Sequence, residues 1–353
     1  KAHERLYGAV FPVGGGSSVV IADFDFETYS EAGYVYREGD KKWVGTNPAS
    51  PKNGIQLVGS RVYAEHPSTE VLSLAYNLKD GTGEHLWLPH MPPPQDLFDH
   101  LASGLLLEAF NVTFEAQIWE FVCKRMGWPD LPHKQLRCAA AKARAFCLPP
   151  NLATVGKALD VSEAKMTEGK ALIRRFCLPK KPSKTDPSLR RNPLAELSGK
   201  GATFYEYNVQ DIVTEAEVSS LVPDLSPSEY AYWQVDWDCN WHGVQLDVEA
   251  INAAIALLDK KYKDSAHLIY ELTGGAVDRM SQLERIKAWL ITCGVEPVHC
   301  KSLDEEGVTA LLALETLPKD CRTVLEIRQE LGSAAVKKLY TMKVQMTKLG
   351  RVH

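Results

Sequence analysis

The chain has 353 residues, 45% of them hydrophobic, and a formal net charge of −5. That length supports a sizeable core and two domains, and the acidic balance excludes a protein that holds nucleic acid through an overall basic field, leaving only local basic patches for such contacts. No apolar run approaches the roughly 20 residues that span a bilayer, no secretory signal is visible, and the eight cysteines, at 123, 138, 147, 177, 239, 293, 300 and 321, form no CxxC pair and read as reduced thiols of a cytoplasmic protein.

Residues 1–18 end in Gly14-Gly15-Gly16-Ser17-Ser18 and read as a flexible lead. Then comes Val19-Val20-Ile21-Ala22-Asp23-Phe24-Asp25-Phe26-Glu27-Thr28, in which apolar residues run into acids at alternate positions. A strand sends alternate side chains to one face, so Asp23, Asp25 and Glu27 share one side and Phe24 and Phe26 the other. A row of like charges is costly to bury unless something neutralises it. Hard divalent cations do so with carboxylate oxygens, so this strand reads as half of a metal site.

Residues 31–54 are rich in Gly, Lys, Pro and Asn and read as an irregular insertion. Gln56–Tyr63, Glu70–Asn77 and Glu84–Leu88 alternate as strands do, and an antiparallel arrangement with the acidic strand is expected. After a break at Pro92–Pro94 come a helix over Asp96–Ser103, a short strand over Leu105–Phe110 and a helix over Phe114–Met126. Residues 134–178 have helical spacing, interrupted at Pro149-Pro150, and Lys180–Pro193 is a basic, Pro-rich loop. Glu206–Leu221 is a strong helix, after which Pro223 and Pro227 mark a boundary. The remainder is helical: Ser228–Trp241, Val248–Thr273, Ser281–Cys293, Leu303–Leu314 and Lys319–Lys348. Trp233, Trp237 and Trp241, at i, i+4, i+8, are expected to be helix core. An α/β domain followed by an α-helical region is the predicted architecture.

Three later features answer the acidic strand. In Ala109-Phe110-Asn111-Val112-Thr113-Phe114-Glu115 an apolar strand ends in Asn, and a carboxylate follows at a helix start, where negative charge is favoured. In Tyr207-Asn208-Val209-Gln210-Asp211 the Tyr and Asp share a helix face. The third feature is their order: acidic strand, then Asn-x-x-Phe-Glu, then Tyr-x-x-x-Asp. Each is weak alone. Edge strands often carry acids, and the second run reads equally as a helix start with Thr113 as N-cap. Glu215 and Glu217 read as a solvated helix face.

Together the three resemble the exonuclease motifs of the proofreading domain in A-family DNA polymerases, especially those of bacteriophages. Arg61–Glu70, Leu148–Leu152, Arg174–Pro179, Gly243–Asp247, Leu272–Ala276 and Val324–Leu331 are similar to the same polymerases, so the resemblance covers roughly residues 19–353. It implies a ribonuclease-H-like α/β exonuclease domain, with a mixed sheet flanked by helices, over 19–222. A helical region resembling the start of the polymerase thumb would fill 223–353. It also implies two-metal phosphodiester hydrolysis from a DNA 3′ end, with ions about 3.5–4 Å apart, Mg²⁺ or Mn²⁺, held by Asp25, Glu27, Glu115 and Asp211. Asp25 would bridge both ions, Glu27 and Tyr207 would orient the attacking water, and Asp23 would lie outside the motif. Many members have Asp where this chain has Glu115, and His or Gln where it has Phe110.

The resemblance further implies single-stranded 3′ ends and primer–template DNA as partners, in a host cytoplasm. Asn111 and the lysines of the last long helix, Lys337, Lys338 and Lys343, are the candidate DNA contacts; such phosphate contacts fix register without reading sequence. The Lys180–Arg191 loop either grips phosphates or is simply solvated. The chain begins without Met and stops at Gly350-Arg351-Val352-His353, before the palm and fingers of that family, so it is expected to be a polymerase fragment that degrades DNA and does not extend it. An RNA-trimming exonuclease of the same fold and a non-catalytic DNA-binding module are the alternatives.

Overall fold

The alternating acids and aromatics form β1 (Ile21–Tyr29), the middle strand of a five-stranded sheet of order β5-β4-β1-β6-β7. The other strands are β4 (Glu70–Asn77), β5 (Glu84–Trp87), β6 (Leu106–Ala109) and β7 (Leu136–Cys138). β1, β4 and β5 pair antiparallel, whereas β1, β6 and β7 pair parallel, so the sheet is mixed. A middle strand is hydrogen-bonded along both edges, and helices pack on its faces; of its acids Asp23 is buried, whereas Asp25 and Glu27 are half-buried. The computed structural model describes residues 20–47, 50–162, 166, 168–182, 186, 188, 190–194, 199–332 and 334–353, without the side chains of Ala334, Ala335 and Lys337. The expected flexible lead lies outside these residues.

One face of β1 presents Phe24 and Phe26 to Trp119 of α3 (Val112–Phe121), with ring centroids 6.5 Å apart in each pair, and Phe26 also meets Trp128 at 6.1 Å. The longest helix of this half, α7 (Lys200–Leu221), packs against β1, β4 and β5. Its buried stripe is Phe204, Asn208, Asp211, Glu215 and Val218, a helical repeat in which three members are polar. The periphery holds α2 (Gln95–Ala102), α4 (Ala139–Ala145), α5 (Leu152–Leu159) and α6 (Gly169–Phe176).

Four sequence expectations differ from the fold. Gln56–Tyr63 is not a strand but most of α1 (Ile55–Glu65), kinked at Gly59, whose φ of 79° only glycine adopts readily. Leu57, Val58, Tyr63 and Ala64 are its buried residues, and the helix packs against α3, so tertiary burial overrides the local alternation. The insertion 31–54 contains a hairpin, β2 (Tyr34–Arg37) with β3 (Lys42–Gly45). Its base is a close backbone approach: a Cβ on Gly33 would lie 2.7 Å from the Gly54 carbonyl oxygen. β7 sits inside the stretch expected to be all helical. The expected single helix over Lys319–Lys348 is two, α12 (Lys319–Leu331) and α13 (Ala334–Gln345), with Gly332, a poor helix former, closing the first.

The chain divides into two compact units. One comprises the described residues up to Val244 together with His353, and the other Gln245–Val352. The sequence boundary at 222–223 falls before α8 (Pro227–His242), which belongs with the first unit by its contacts. Trp241 stacks on Phe121 at 6.4 Å and meets His133 at 4.3 Å, and the Arg137 guanidinium sits 4.1 Å over the Tyr230 ring. Of the three tryptophans expected to be helix core only Trp237 is buried, while Trp233 and Trp241 are half-buried. The second unit contains α9 (Val248–Leu272), α10 (Leu283–Thr292), α11 (Glu305–Leu312), α12 and α13, around a core that includes Ile269, Ile286, Leu290, Val308, Leu311, Val324 and Leu325. Tyr262 donates to the Leu331 carbonyl at 2.9 Å and Tyr340 to Asp259 at 2.7 Å, tying α9 to both closing helices. Among the described residues no helix is long and apolar enough to cross a membrane.

Candidate metal centre

Asp25 and Glu27 project from β1 and Asp211 from α7, and one carboxylate oxygen of each lies within 4.8 Å of the others. Asp211 is buried, and Asp25 and Glu27 are half-buried. The strand period puts the first two on one face, and packing of α7 across that face supplies the third. Oxygen donors of this kind and spacing suit a hard divalent cation.

Glu115, in the first turn of α3, is buried, and its Oε2 accepts the backbone N–H of Phe26 at 3.0 Å. The acid therefore hangs from the strand residue that separates Asp25 and Glu27. Burial, and then the negative charge of Asp25, hold its pKa well above the usual carboxylate range; the Phe26 N–H offsets this only in part. Tyr207 is buried one turn before Asp211 and hydrogen-bonded to it. Burial and the charges of Asp211 and Glu27 push its pKa up, so the hydroxyl keeps its proton.

Several supporting groups have no obvious mark in the sequence. Asn208 Nδ2 donates to Asp25 Oδ2 at 2.7 Å and to the Asp25 carbonyl at 3.2 Å, while its Oδ1 accepts from Ser73 at 2.7 Å. The Cys177 thiol donates to Glu27 Oε2 at 3.5 Å, and burial pushes that thiol's pKa well up. Gly169 at the start of α6 lies against the Tyr207 ring, where a Cβ would come within 2.4 Å of Cε2. Asn208 could have been suspected from its i, i+3 spacing to Asp211; Ser73, Cys177 and Gly169 carry no comparable signal.

Asp23 is buried and ion-paired with Lys79, not grouped with the three converging acids. Burial raises its pKa to about 6 despite that lysine. It borders an open cleft of about 630 Å³ together with Lys79, Glu108, Lys142, Ser219 and Asp224. Here buried Lys142 reaches Glu108 at 3.4 Å and Asp224 at 3.0 Å, and donates to Ser219 Oγ at 2.7 Å. The cleft is walled by ion pairs and is separate from the Asp25–Glu27–Asp211 cluster.

Glu215 is not on a solvated face, whereas Glu217 is half-buried. Glu215 is 1% exposed because it continues the inward stripe of α7, and Glu217 accepts the N–H and hydroxyl of Ser162. Burial and then Asp23 push the Glu215 pKa well up. Asn111 is exposed at the N-cap of α3, a position expected for Thr113, and its side chain caps nothing. Lys338 and Lys343 are exposed on α13, and the side chain of Lys337 lies outside the described residues. In the basic loop Arg191 is ion-paired with Glu70; residues 183–185, 187 and 189 lie outside the described residues.

No family model matches the chain. It is similar to a DNA polymerase of Bacillus phage SP02, with 32% identity over 309 residues, which covers 85% of this chain and 46% of that polymerase. The chain thus spans about half the length of the curated relative it matches.

Proposed function

We propose that the first unit is a 3′→5′ DNA exonuclease of the ribonuclease-H-like, proofreading type, and that the chain is a portion of an A-family phage DNA polymerase acting in the host cytoplasm. The observation that carries this reading is the convergence of Asp25, Glu27 and Asp211 from β1 and α7, with Glu115 suspended beside them from Phe26. The similarity to a phage DNA polymerase supports it, because a DNA-synthesising enzyme has use for removal of a misplaced 3′ nucleotide.

Asp25, Glu27 and Asp211 would hold a divalent cation, with Glu115 the remaining acid of a two-ion site. Bound ions of this kind lower the pKa of water and neutralise charge on the phosphate and the leaving 3′ oxygen. The chain's own residues do the rest. Tyr207 keeps its proton near neutral pH and gives that hydrogen bond to Asp211, so its hydroxyl oxygen would orient the attacking water as an acceptor, not as a base. Glu27 is the acid on the water side. Hydrolysis breaks the bond from phosphorus to the 3′ oxygen and releases a 5′-mononucleotide.

The second unit is proposed as the start of the polymerase thumb, with Lys338 and Lys343 contacting duplex phosphates. Such binding weakens steeply with salt, and a flat salt response would count against it. The test of the nuclease reading is a comparison of single-stranded DNA and RNA of one sequence, each incubated with Mg²⁺. Stepwise shortening of the DNA from its 3′ end is expected. Preferential shortening of RNA would favour an RNA-trimming enzyme, and cleavage of neither would favour a non-catalytic binding module.

A further inference from the structure

Asp25 is held by more than its strand. The Asn208 amide donates both to the carboxylate of Asp25, at 2.7 Å, and to the backbone carbonyl of the same residue, at 3.2 Å. Bridging these two acceptors with one amide nitrogen fixes the side-chain torsions of Asp25 relative to its own main chain. The orientation of the amide is settled by chemistry. A carboxylate and a carbonyl are both acceptors, so the group facing them must be the NH₂, and the oxygen must face a donor. That donor is Ser73, whose hydroxyl lies 2.7 Å from Asn208 Oδ1.

Both supporting residues are fully buried, so water cannot substitute for either partner. Ser73 stands opposite Glu27 in the β1–β4 register, and along β4 it shares a face with Val71 and Ala75. An apolar side chain would fill that position equally well if packing were its only task. The short, charge-assisted bond to Asp25 is the stronger of the two made by the amide. The arrangement is a relay from β4 through α7 to β1, and it ends on an acid of the candidate metal centre.

We propose that Asn208 and Ser73 are positioning residues that lock the Asp25 carboxylate in its ligating orientation, an inference that rests on the nuclease reading above. Partners behind a metal ligand typically change metal affinity or activity by about 10–100-fold when removed. The relay accounts for the buried amide in the polar stripe of α7 and for the buried hydroxyl between Val71 and Ala75 on its strand face.

The test uses the whole chain as wild type, Ser73→Ala, Asn208→Ala and Asn208→Asp. Two quantities are read: Mn²⁺ binding without DNA, followed by electron paramagnetic resonance, and the Mg²⁺ concentration giving half-maximal cleavage. Thermal melting in EDTA reports separately on the fold. Asn208→Asp keeps the shape but sets a carboxyl against Asp25, and Ser73→Ala leaves the amide in place without its donor. The expected result is a weakening of Mn²⁺ binding and a rise in Mg²⁺ requirement of about 10-fold or more, largest for Asn208→Asp, in variants that still melt cooperatively. A purely structural role predicts lower melting temperatures with Mn²⁺ affinity of the folded protein within about twofold of wild type, and that result overturns the inference. Should Asn208 variants fail to fold, Ser73→Ala alone decides. A wild type that neither binds Mn²⁺ nor cleaves removes the nuclease reading and the inference together. A wild type that does both, beside variants with unchanged metal dependence, removes only the inference.

Discussion

Glu115 accepts the backbone N–H of Phe26 at 3.0 Å, which fastens an acid of α3 to the strand between Asp25 and Glu27. Its folded pKa lies well above the unfolded value, through burial and the neighbouring charges. A carboxyl with that sign of shift costs nothing at low pH, where it is protonated in both states. It destabilises the fold increasingly as pH rises above the unfolded value, until the folded pKa is passed. A bound cation supplies the missing countercharge and removes this cost. Mg²⁺ is therefore expected to raise the melting temperature more at about pH 8 than at about pH 5, the lower value lying near the unfolded pKa. Differential scanning calorimetry measures this, and equal stabilisation at both pH values would contradict it.

Glu215 has the same sign of shift without a place in the metal cluster. It accepts the Phe110 N–H and lies near Asp23, Glu108 and Asp25. Glu215→Gln keeps the acceptor and removes the charge. The variant should melt above wild type at about pH 8, where the wild-type carboxyl is penalised, and show no gain at about pH 5. Melting curves in EDTA at the two pH values check it; a variant less stable at both would show that the ionised form is the native one.

Gly169→Ala tests the seat of Tyr207. The added Cβ would meet the ring at 2.4 Å from Cε2 and 3.0 Å from Cζ, and the ring is buried, so either α6 or the tyrosine must shift. A misplacement of about 1 Å in a catalytic group can cost about 10²-fold in rate. Single-turnover cleavage should slow by about that factor while Mn²⁺ affinity changes little. Cleavage within about twofold of wild type would mean either that α6 gives way instead of the tyrosine or that Tyr207 does not act on the reacting water, and a parallel Tyr207→Phe variant separates the two.

Lys142→Met tests the ion-pair network beside the cleft. Lys142 compensates buried Glu108 and reaches Asp224. Removing one partner of a buried pair leaves an uncompensated charge and costs about 3–5 kcal/mol. Urea unfolding should show a loss of that order, and a loss below about 1 kcal/mol would mean that water already solvates Glu108.

The centre of the site was legible because its residues break a pattern. Acids alternating with phenylalanines on an otherwise apolar strand require a countercharge, and the later Glu115, Tyr207 and Asp211 were found from spacing and resemblance. The supports were illegible for the opposite reason. Asn208, Asp211 and Glu215 lie on the inward stripe of α7, so hydrophobic periodicity marks that face only through Phe204 and Val218, and Glu215 reads as solvent-exposed. α1 reads as a strand because its apolar residues alternate locally, and only Gly59 and the docking of the helix on α3 reveal otherwise. β7 is three residues long, too short to carry a period.

The most direct measurement is release of single nucleotides from a 3′-labelled DNA strand by wild type and by Asp25→Ala, each with Mg²⁺ and with EDTA. Release by wild type alone, and only with Mg²⁺, is the expected result. Nucleotide release that survives Asp25→Ala, or that persists in EDTA, would contradict the assignment of Asp25, Glu27 and Asp211 as the metal-holding acids of an exonuclease.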